Sequence, residues 1–217
     1  MNLKNVTVLT HPLLKHNLAV IRNKDCSREI FLSAFKRLSY FLMQEGFSNL
    51  PTKQAVVSTP LQSVNASVLD DSYTYVLVPI LRAGLALMDV AVELLPNAHV
   101  LHVGVYRDEK TCKPVWYYNK TPNSFPLKTK IFILDPMLAT GGSALSVIDL
   151  FVKKGIDVKD IVFISLLSAP EGIKVLQKEY PDLKIITASI DDKLNENAYI
   201  LPGLGDAGDR YFNSIIP

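Results

Sequence analysis

Between Ser27 and Gln44 the apolar positions Ile30, Ala34, Leu38, Phe41 and Leu42 fall on one face of a 3.6-residue repeat. That spacing predicts an amphipathic helix, with Asp25 or Ser27 as its cap and Gly46 as its stop. Residues 1 to 26 carry His11-Pro12 and an apolar repeat without a regular period, which predicts an arm lying on the domain or on a partner subunit. Further on, Val64, Ala66 and Val68 alternate with Asn65, Ser67 and Leu69. With Gln54 to Ser58 across Thr59-Pro60, they predict a hairpin or edge ribbon, part of a flap. The rhythm then changes. Tyr73 to Val78 reads as a buried strand, Gly84 to Leu95 as a helix with Leu87, Val90, Ala91 and Leu94 inward, and Ala98 to Val105 as a strand.

Residues 106 to 128 are polar and aromatic with three prolines, too long for an ordinary connection in a compact domain, so a functional or mobile loop is expected there. After it, Lys130 to Leu134 is a short apolar run, and Leu145, Ile148 and Val152 give the stretch ending at Gly155 an inward helical face. Strand Ile161 to Leu167, helix Glu171 to Tyr180 and strand Lys184 to Ala188 continue the alternation. The fold class is therefore α/β: five strands in a largely parallel sheet with helices on both faces, forming one domain over residues 1 to 217 with a small flap. Ligands on such sheets bind outside the carboxyl ends of the strands.

Two stretches lie at such ends. Asp135-Pro136-Met137-Leu138-Ala139-Thr140-Gly141-Gly142-Ser143-Ala144 joins strand to helix. Thr140, Gly141, Gly142 and Ser143 have small side chains, so successive backbone N–H groups can converge on an anion beside the positive end of the helix. Asp135 has the wrong charge for phosphate, but a carboxylate can accept two hydrogen bonds from a ribose diol. Phosphate and sugar together suggest a ribose 5-phosphate ligand, whereas a bare Gly-Gly turn would need only Asp135 as a helix cap. The second stretch, Val78 to Gly84, places Arg82 in an otherwise apolar turn. An unpaired guanidinium is costly to bury, so Arg82 should meet a carboxylate or a phosphate.

Composition narrows the classes. The chain has 217 residues, 48% of them hydrophobic, and a net charge of +2 without a basic tail or charge block, so nucleic acid is not an expected partner. Cys26 and Cys112 belong to different segments, and His11, His16, His99 and His102 have no metal-ligand spacing. The most apolar stretch, Tyr75 to Leu95, is interrupted by Pro79, Arg82, Asp89 and Glu93, so no membrane span and a cytoplasmic location are expected. Near the C-terminus Gly203, Gly205 and Gly208 spell G-x-G-x-x-G, but Pro202 precedes them and only residues 209 to 217 follow. A dinucleotide fingerprint needs a strand before it and a helix within a βαβ unit after it. Backbone approach to a planar base is the better use of these glycines.

The string DPMLATGGSA resembles the phosphoribosyl-diphosphate (PRPP) loop of type I phosphoribosyltransferases, in the form found in the uracil phosphoribosyltransferases. VPILRAG is similar to the pyrophosphate loop of that family, and YILPGLGDAGDRYFN resembles its base-binding loop. The likeness runs from His11-Pro12 to Phe212 with the motifs in the family's order. It implies that Asp135 to Ser143, Arg82, Arg107 and Asp206 contact PRPP, while Ile200, Gly205, Asp206 and Ala207 contact uracil. It makes residues 106 to 128 a mobile hood whose Arg107 reaches the diphosphate on closure, and residues 199 to 212 the base loop. Arg82, Arg107 and Asp206 are then the catalytic candidates, with Asp206 steering or accepting the N1 proton. The wider superfamily usually opens this loop with two adjacent acids. Here Asp135-Pro136 leaves one carboxylate, which fits the uracil subgroup.

The expected reaction is transfer of ribose 5-phosphate from PRPP to N1 of uracil, giving UMP and diphosphate in pyrimidine salvage. The resemblance also implies Mg2+ held mainly by substrate and water rather than by a protein cage. It further implies a homodimer or higher homo-oligomer and raises GTP as an activator. One rival reading is a non-catalytic PRPP-sensing regulator on the same fold, which lacks a basic footprint. Another is a transferase for a purine or orotate.

Overall fold

The structure is a computed structural model that describes residues 3 to 107 and 114 to 214, with the Arg107 side chain outside that set. In chain order the elements are β1 (Val6–Val8), α1 (Pro12–Arg22), α2 (Arg28–Gly46), β2 (Thr52–Ser58), β3 (Ser63–Leu69), β4 (Thr74–Leu81) and α3 (Leu85–Leu94). Next come β5 (His99–Val100), β6 (Val103–Arg107), β7 (Pro114–Asn119), β8 (Thr129–Leu134), β9 (Met137–Leu138), α4 (Gly142–Lys153) and β10 (Ile161–Ser168). The chain ends with α5 (Pro170–Glu179), β11 (Lys184–Ile190), β12 (Lys193–Leu194), β13 (Ile200–Leu201) and α6 (Ala207–Phe212).

The main sheet runs β1-β11-β10-β8-β4-β6-β7, with β5 added to β4 and β9 to β10. Every pairing in it is parallel except β6 with β7. The central strands bury both faces, which is why they read as continuous apolar runs. On one face Leu77, Phe132, Leu134, Ile164 and Ile186 pack with Leu14, Phe31, Phe35 and Leu38 of α1 and α2. On the other, Val78, Ile133, Phe163 and Ile185 pack with Val147, Ile148 and Phe151 of α4 and with Ile173 of α5.

Four expectations need correcting. Among the described residues the main sheet has nine strands, not five. Residues 1 to 26 are integral rather than an applied arm: β1 pairs in parallel with β11, and α1 buries Leu14, Leu18 and Ile21. Pro12 opens that helix at a position where no N–H is missed, and His11 Nδ1 accepts from Leu13 N at 3.2 Å. The 4- and 3-residue steps from Leu14 to Ile21 were a readable signal; a three-residue strand is too short to show one. The stretch from 106 to 128 is also not all loop, since Val115 and Trp116 enter β7 on the edge of the sheet, with a register shift at Gly104/Val105. Pro114 is tolerated there because it opens an edge strand. The single strand expected over Ala98 to Val105 is divided into β5 and β6.

β2 and β3 form the expected hairpin, a two-stranded sheet of its own with Val57 opposite Val64. Ser27 is the cap of α2, accepting from Ile30 N at 3.4 Å. Among the described residues no helix is long and apolar enough to cross a membrane.

Candidate active site

Backbone geometry brings the two strand-end loops together. A Cβ at Gly84 would lie 2.3 Å from the Leu134 carbonyl oxygen and 2.6 Å from Ile80 N, so only glycine lets the turn after β4 press against the end of β8. Arg82 is thereby set beside the loop that begins at Asp135. The first half of that loop is fastened to β10: Pro136 O accepts from Leu166 N and Leu167 N at 3.0 and 2.9 Å, and Ala169 N donates to Leu138 O at 2.8 Å. Pro136 and Leu138 are buried and shape the loop from below, leaving the second half to face outward.

Gly141 caps α4 with φ 83, and no side chain caps the helix. The first-turn N–H groups of Gly142, Ser143 and Ala144 have no intrahelical acceptor, as at any helix start. Ser143 and Ala144 line a cavity of about 190 Å³ together with Asp135, Thr140 and Gly141. Donors of that kind at the positive end of a 12-residue helix suit a phosphate. Gly141, not Gly142, holds the unusual dihedral: a Cβ there would also meet Gly172 O at 2.9 Å, whereas one at Gly142 meets nothing closer than Thr140 Oγ1 at 3.9 Å.

Asp135 Oδ1 accepts from Met137 N at 3.3 Å, and burial pushes its carboxyl up to about 7 against that hydrogen bond. The group is poised to gain from hydroxyl donors. Arg82 is not buried as expected; its side chain is 62% exposed, and its Nη2 donates to Asp209 Oδ1 at 3.2 Å. It is thus available to an incoming anion at the cost of one exposed ion pair, a contact worth about 1 kcal/mol or less. Arg107 ends β6, but its side chain and residues 108 to 113 lie outside the described residues, as does Cys112. At the return of this segment, Lys154 Nζ donates to Thr121 Oγ1 and Pro122 O at 2.7 and 2.6 Å, pinning it to the end of α4.

The C-terminal loop faces the loop of residues 135 to 144 across a cleft of about 690 Å³ lined by Met137, Ala139, Ile200, Gly205, Asp206 and Ala207. Met137, Ala139 and Ala198 line both this cleft and the smaller cavity, so the two adjoin. Ile200 is anchored in β13 by pairing with Leu194. Gly203 has φ 60, and a Cβ there would lie 2.1 Å from Ile200 O; Gly205 has φ 80. Asp206 also has a structural task, capping α6 by accepting from Asp209 N at 2.8 Å. Gly203 and Gly205 follow a two-residue antiparallel strand and Gly208 lies within a six-residue helix, so the triplet is not a dinucleotide unit.

A family model described as uracil phosphoribosyltransferase matches residues 8 to 214. The chain belongs to the uracil phosphoribosyltransferase family. A protein of that name from Dictyoglomus thermophilum is 46% identical over 209 residues, covering 96% of this chain and 99% of that one. Another, from Levilactobacillus brevis, is 44% identical over 207 residues, covering 95% and 97%. A solved structure from Aquifex aeolicus aligns over 98% of this chain and 100% of that one with a TM-score of 0.85 and 31% identity. The adenine phosphoribosyltransferase of Trypanosoma brucei shares the fold alone, with a TM-score of 0.52 and 14% identity over 90% of this chain and 88% of that one.

Sequence reasoning missed the residues that hold the C-terminal loop from behind. Arg22 Nη1 and Nη2 donate to Asp191 Oδ2 and Oδ1 at 2.7 and 2.5 Å, and the Asp191 side chain is only 2% exposed. Burial alone would raise the Asp191 carboxyl, but Arg22, the Gly203 N–H and Ser189 Oγ together hold it below the usual carboxylate range. Arg210 stacks over Phe31 at 4.4 Å and donates from Nη1 to Leu204 O at 2.8 Å. Asp191 stands just past the end of β11, a position that marks sites on parallel sheets, but its partner is 169 residues away.

Proposed function

We propose that the protein transfers ribose 5-phosphate from PRPP to N1 of uracil, forming UMP and diphosphate. The carrying observation is the continuous cavity between an uncapped helix start and a glycine-rich base loop, each at strand carboxyl ends. The N–H groups of Gly142, Ser143 and Ala144 hold the 5-phosphate, Asp135 accepts from the ribose hydroxyls, and Arg82 exchanges Asp209 for the departing diphosphate. Backbone groups of Ile200, Gly205 and Ala207 orient uracil so that N1 faces C1′. The C1′–N1 bond forms as the C1′–O bond to diphosphate breaks. The N1 proton leaves toward Asp206, whose carboxylate has lone pairs beyond the one capping α6. Rate enhancement comes from positioning and from neutralising the leaving group.

Mg2+ belongs to the same proposal. Bound, it would neutralise diphosphate oxygens; Asp135 is the one acid lining the loop cavity among the described residues, a donor set that suits an ion carried in by substrate with its waters. Arg107 is the expected second arginine on the diphosphate. Homodimerisation is supported by the exposed Val56 and Val64 side chains of the β2–β3 hairpin and is tested by light scattering. A cytoplasmic location and activation by GTP rest on the family resemblance, and initial rates with and without GTP test the latter. The central test is conversion of radiolabelled uracil with PRPP and Mg2+ by the purified protein. UMP is the expected product, and conversion of orotate or a purine in its place would overturn the proposal.

A further inference from the structure

Gly203 is held by both of its own polar groups. Its N–H donates to Asp191 Oδ2 at 2.9 Å, and its C=O accepts from Arg22 Nη1 at 2.7 Å. The same Nη1 also donates to Asp191 Oδ2, and Ser189 Oγ donates to Asp191 Oδ1 at 3.0 Å. The result is a closed ring of carboxylate, guanidinium and the backbone of one residue, whose N–H and C=O belong to the two peptide units flanking its Cα. Gly203 lies between Ile200, which lines the cleft, and Gly205 to Ala207, which also line it. Gly203 has no side chain, and a Cβ at its left-handed φ would lie 2.1 Å from Ile200 O, so side-chain packing cannot set its place. A glycine in that conformation has no intrinsic reason to stay there, since it samples both signs of φ readily.

We infer that Arg22 and Asp191 are positioning residues for base selection: they hold the Gly203 peptide so that the backbone groups of Gly205 to Ala207 present a fixed pattern to the base. The inference rests on reading this loop as the uracil site. The guanidinium is required in particular, because its planar fork can serve the carboxylate and the peptide carbonyl at once, whereas an ammonium is a point donor. Phosphate binding should not depend on the pair, because the 5-phosphate donors sit on the separate β8–α4 loop.

Arg22→Gln, Arg22→Lys and Asp191→Asn test this by steady-state kinetics with each substrate varied. Losing a charge-assisted contact should raise the uracil KM and lower the uracil-to-cytosine kcat/KM ratio by about 10-fold or more, with the PRPP KM changed by less than about twofold. Arg22→Lys should fall between wild type and Arg22→Gln. Leu183→Ala, a buried site at the amino end of β11, controls for stability loss. It should lower Tm while leaving both the uracil KM and the ratio unchanged. The inference is overturned if the Arg22 variants behave like Leu183→Ala, or if both substrates' KM values rise together.

Hydrogen exchange supplies a readout independent of activity. Amides of residues 203 to 207 should exchange faster in Arg22→Lys while those of β8 and β10 do not. If wild-type protein converts no uracil, the proposed function fails, and the exchange result still decides whether this pair holds the loop. Unchanged exchange would sink the positioning role on its own.

Discussion

At the scale of single residues, Asp135 carries an opposition between stability and function. Its folded-state pKa, about 7, lies above its ordinary value of 3.8, so between those values the folded chain binds more protons than the unfolded one. Its contribution to stability is therefore fully present below about pH 4 and is lost as pH rises through 7. Asp135→Asn removes the cost of ionising the buried group. Urea denaturation at pH 8 should show a gain on the order of 2–4 kcal/mol over wild type, shrinking at pH 5, together with loss of PRPP affinity. A variant less stable than wild type at pH 8 would contradict this account. Arg82→Ala should act in the reverse sense. Its ion pair with Asp209 is exposed, so stability should change by less than about 1 kcal/mol, while kcat falls roughly 10- to 1000-fold with uracil binding little affected. Steady-state kinetics alongside urea midpoints check both parts.

At the scale of elements, neighbouring glycines in the phosphate loop have different tasks. Gly141→Ala places a Cβ at φ 83 and against Gly172 O, and should cost about 1–3 kcal/mol in urea denaturation. At Gly142 a Cβ makes only an ordinary 3.9 Å contact with Thr140 Oγ1 and there is no left-handed dihedral to strain, so the fold should survive Gly142→Val with nearly unchanged stability. The branched side chain instead stands where the proposed function places the 5-phosphate, and calorimetry should find PRPP binding abolished. Of the Gly-Gly pair, Gly141 alone has the unusual backbone geometry, because it turns the chain into the helix that Gly142 begins. Gly142 matters only if a ligand approaches.

At the scale of the whole molecule, the proposed base site joins a loop near one end of the chain to a helix near the other. Backbone groups at Ile200, Gly205 and Ala207 can offer donors to O4 and O2 of uracil and a carbonyl to its N3–H. Cytosine reverses two of these three positions, each mismatch leaving a buried group unpaired at about 1–3 kcal/mol. Uracil should therefore be preferred by roughly 30-fold to over 10,000-fold in kcat/KM. Orotate should be rejected because its 6-carboxylate lies beside N1, against the close backbone of Gly205 to Ala207 and the like charge of Asp206. Competition assays with the three bases check this, and comparable kcat/KM for either rival would refute the loop's role.

The apolar runs Lys130 to Leu134 and Ile161 to Leu167, the existence of α2 and α4 and the β2–β3 hairpin were legible in the sequence alone, but the helix faces only in part: Ile30 is exposed, while Phe31 and Phe35 of α2 and Val147 and Phe151 of α4 fill the core. Their causes are local: periodicity, caps and small residues act within a turn or two. What the tertiary structure decided involves distance along the chain. Three residues at β1 became a strand only because β11 offered an edge, and Val115 and Trp116 left an apparent loop because β6 did the same. Asp206 joined a helix cap to a place in the cleft, and Arg82 reached the surface instead of the interior. Arg22, Asp191 and Gly203 form one ring only once α1, β11 and the C-terminal loop are packed together. No local rule encodes such a ring, because each member's partner is supplied by the order of strands in the sheet rather than by its neighbours in the chain.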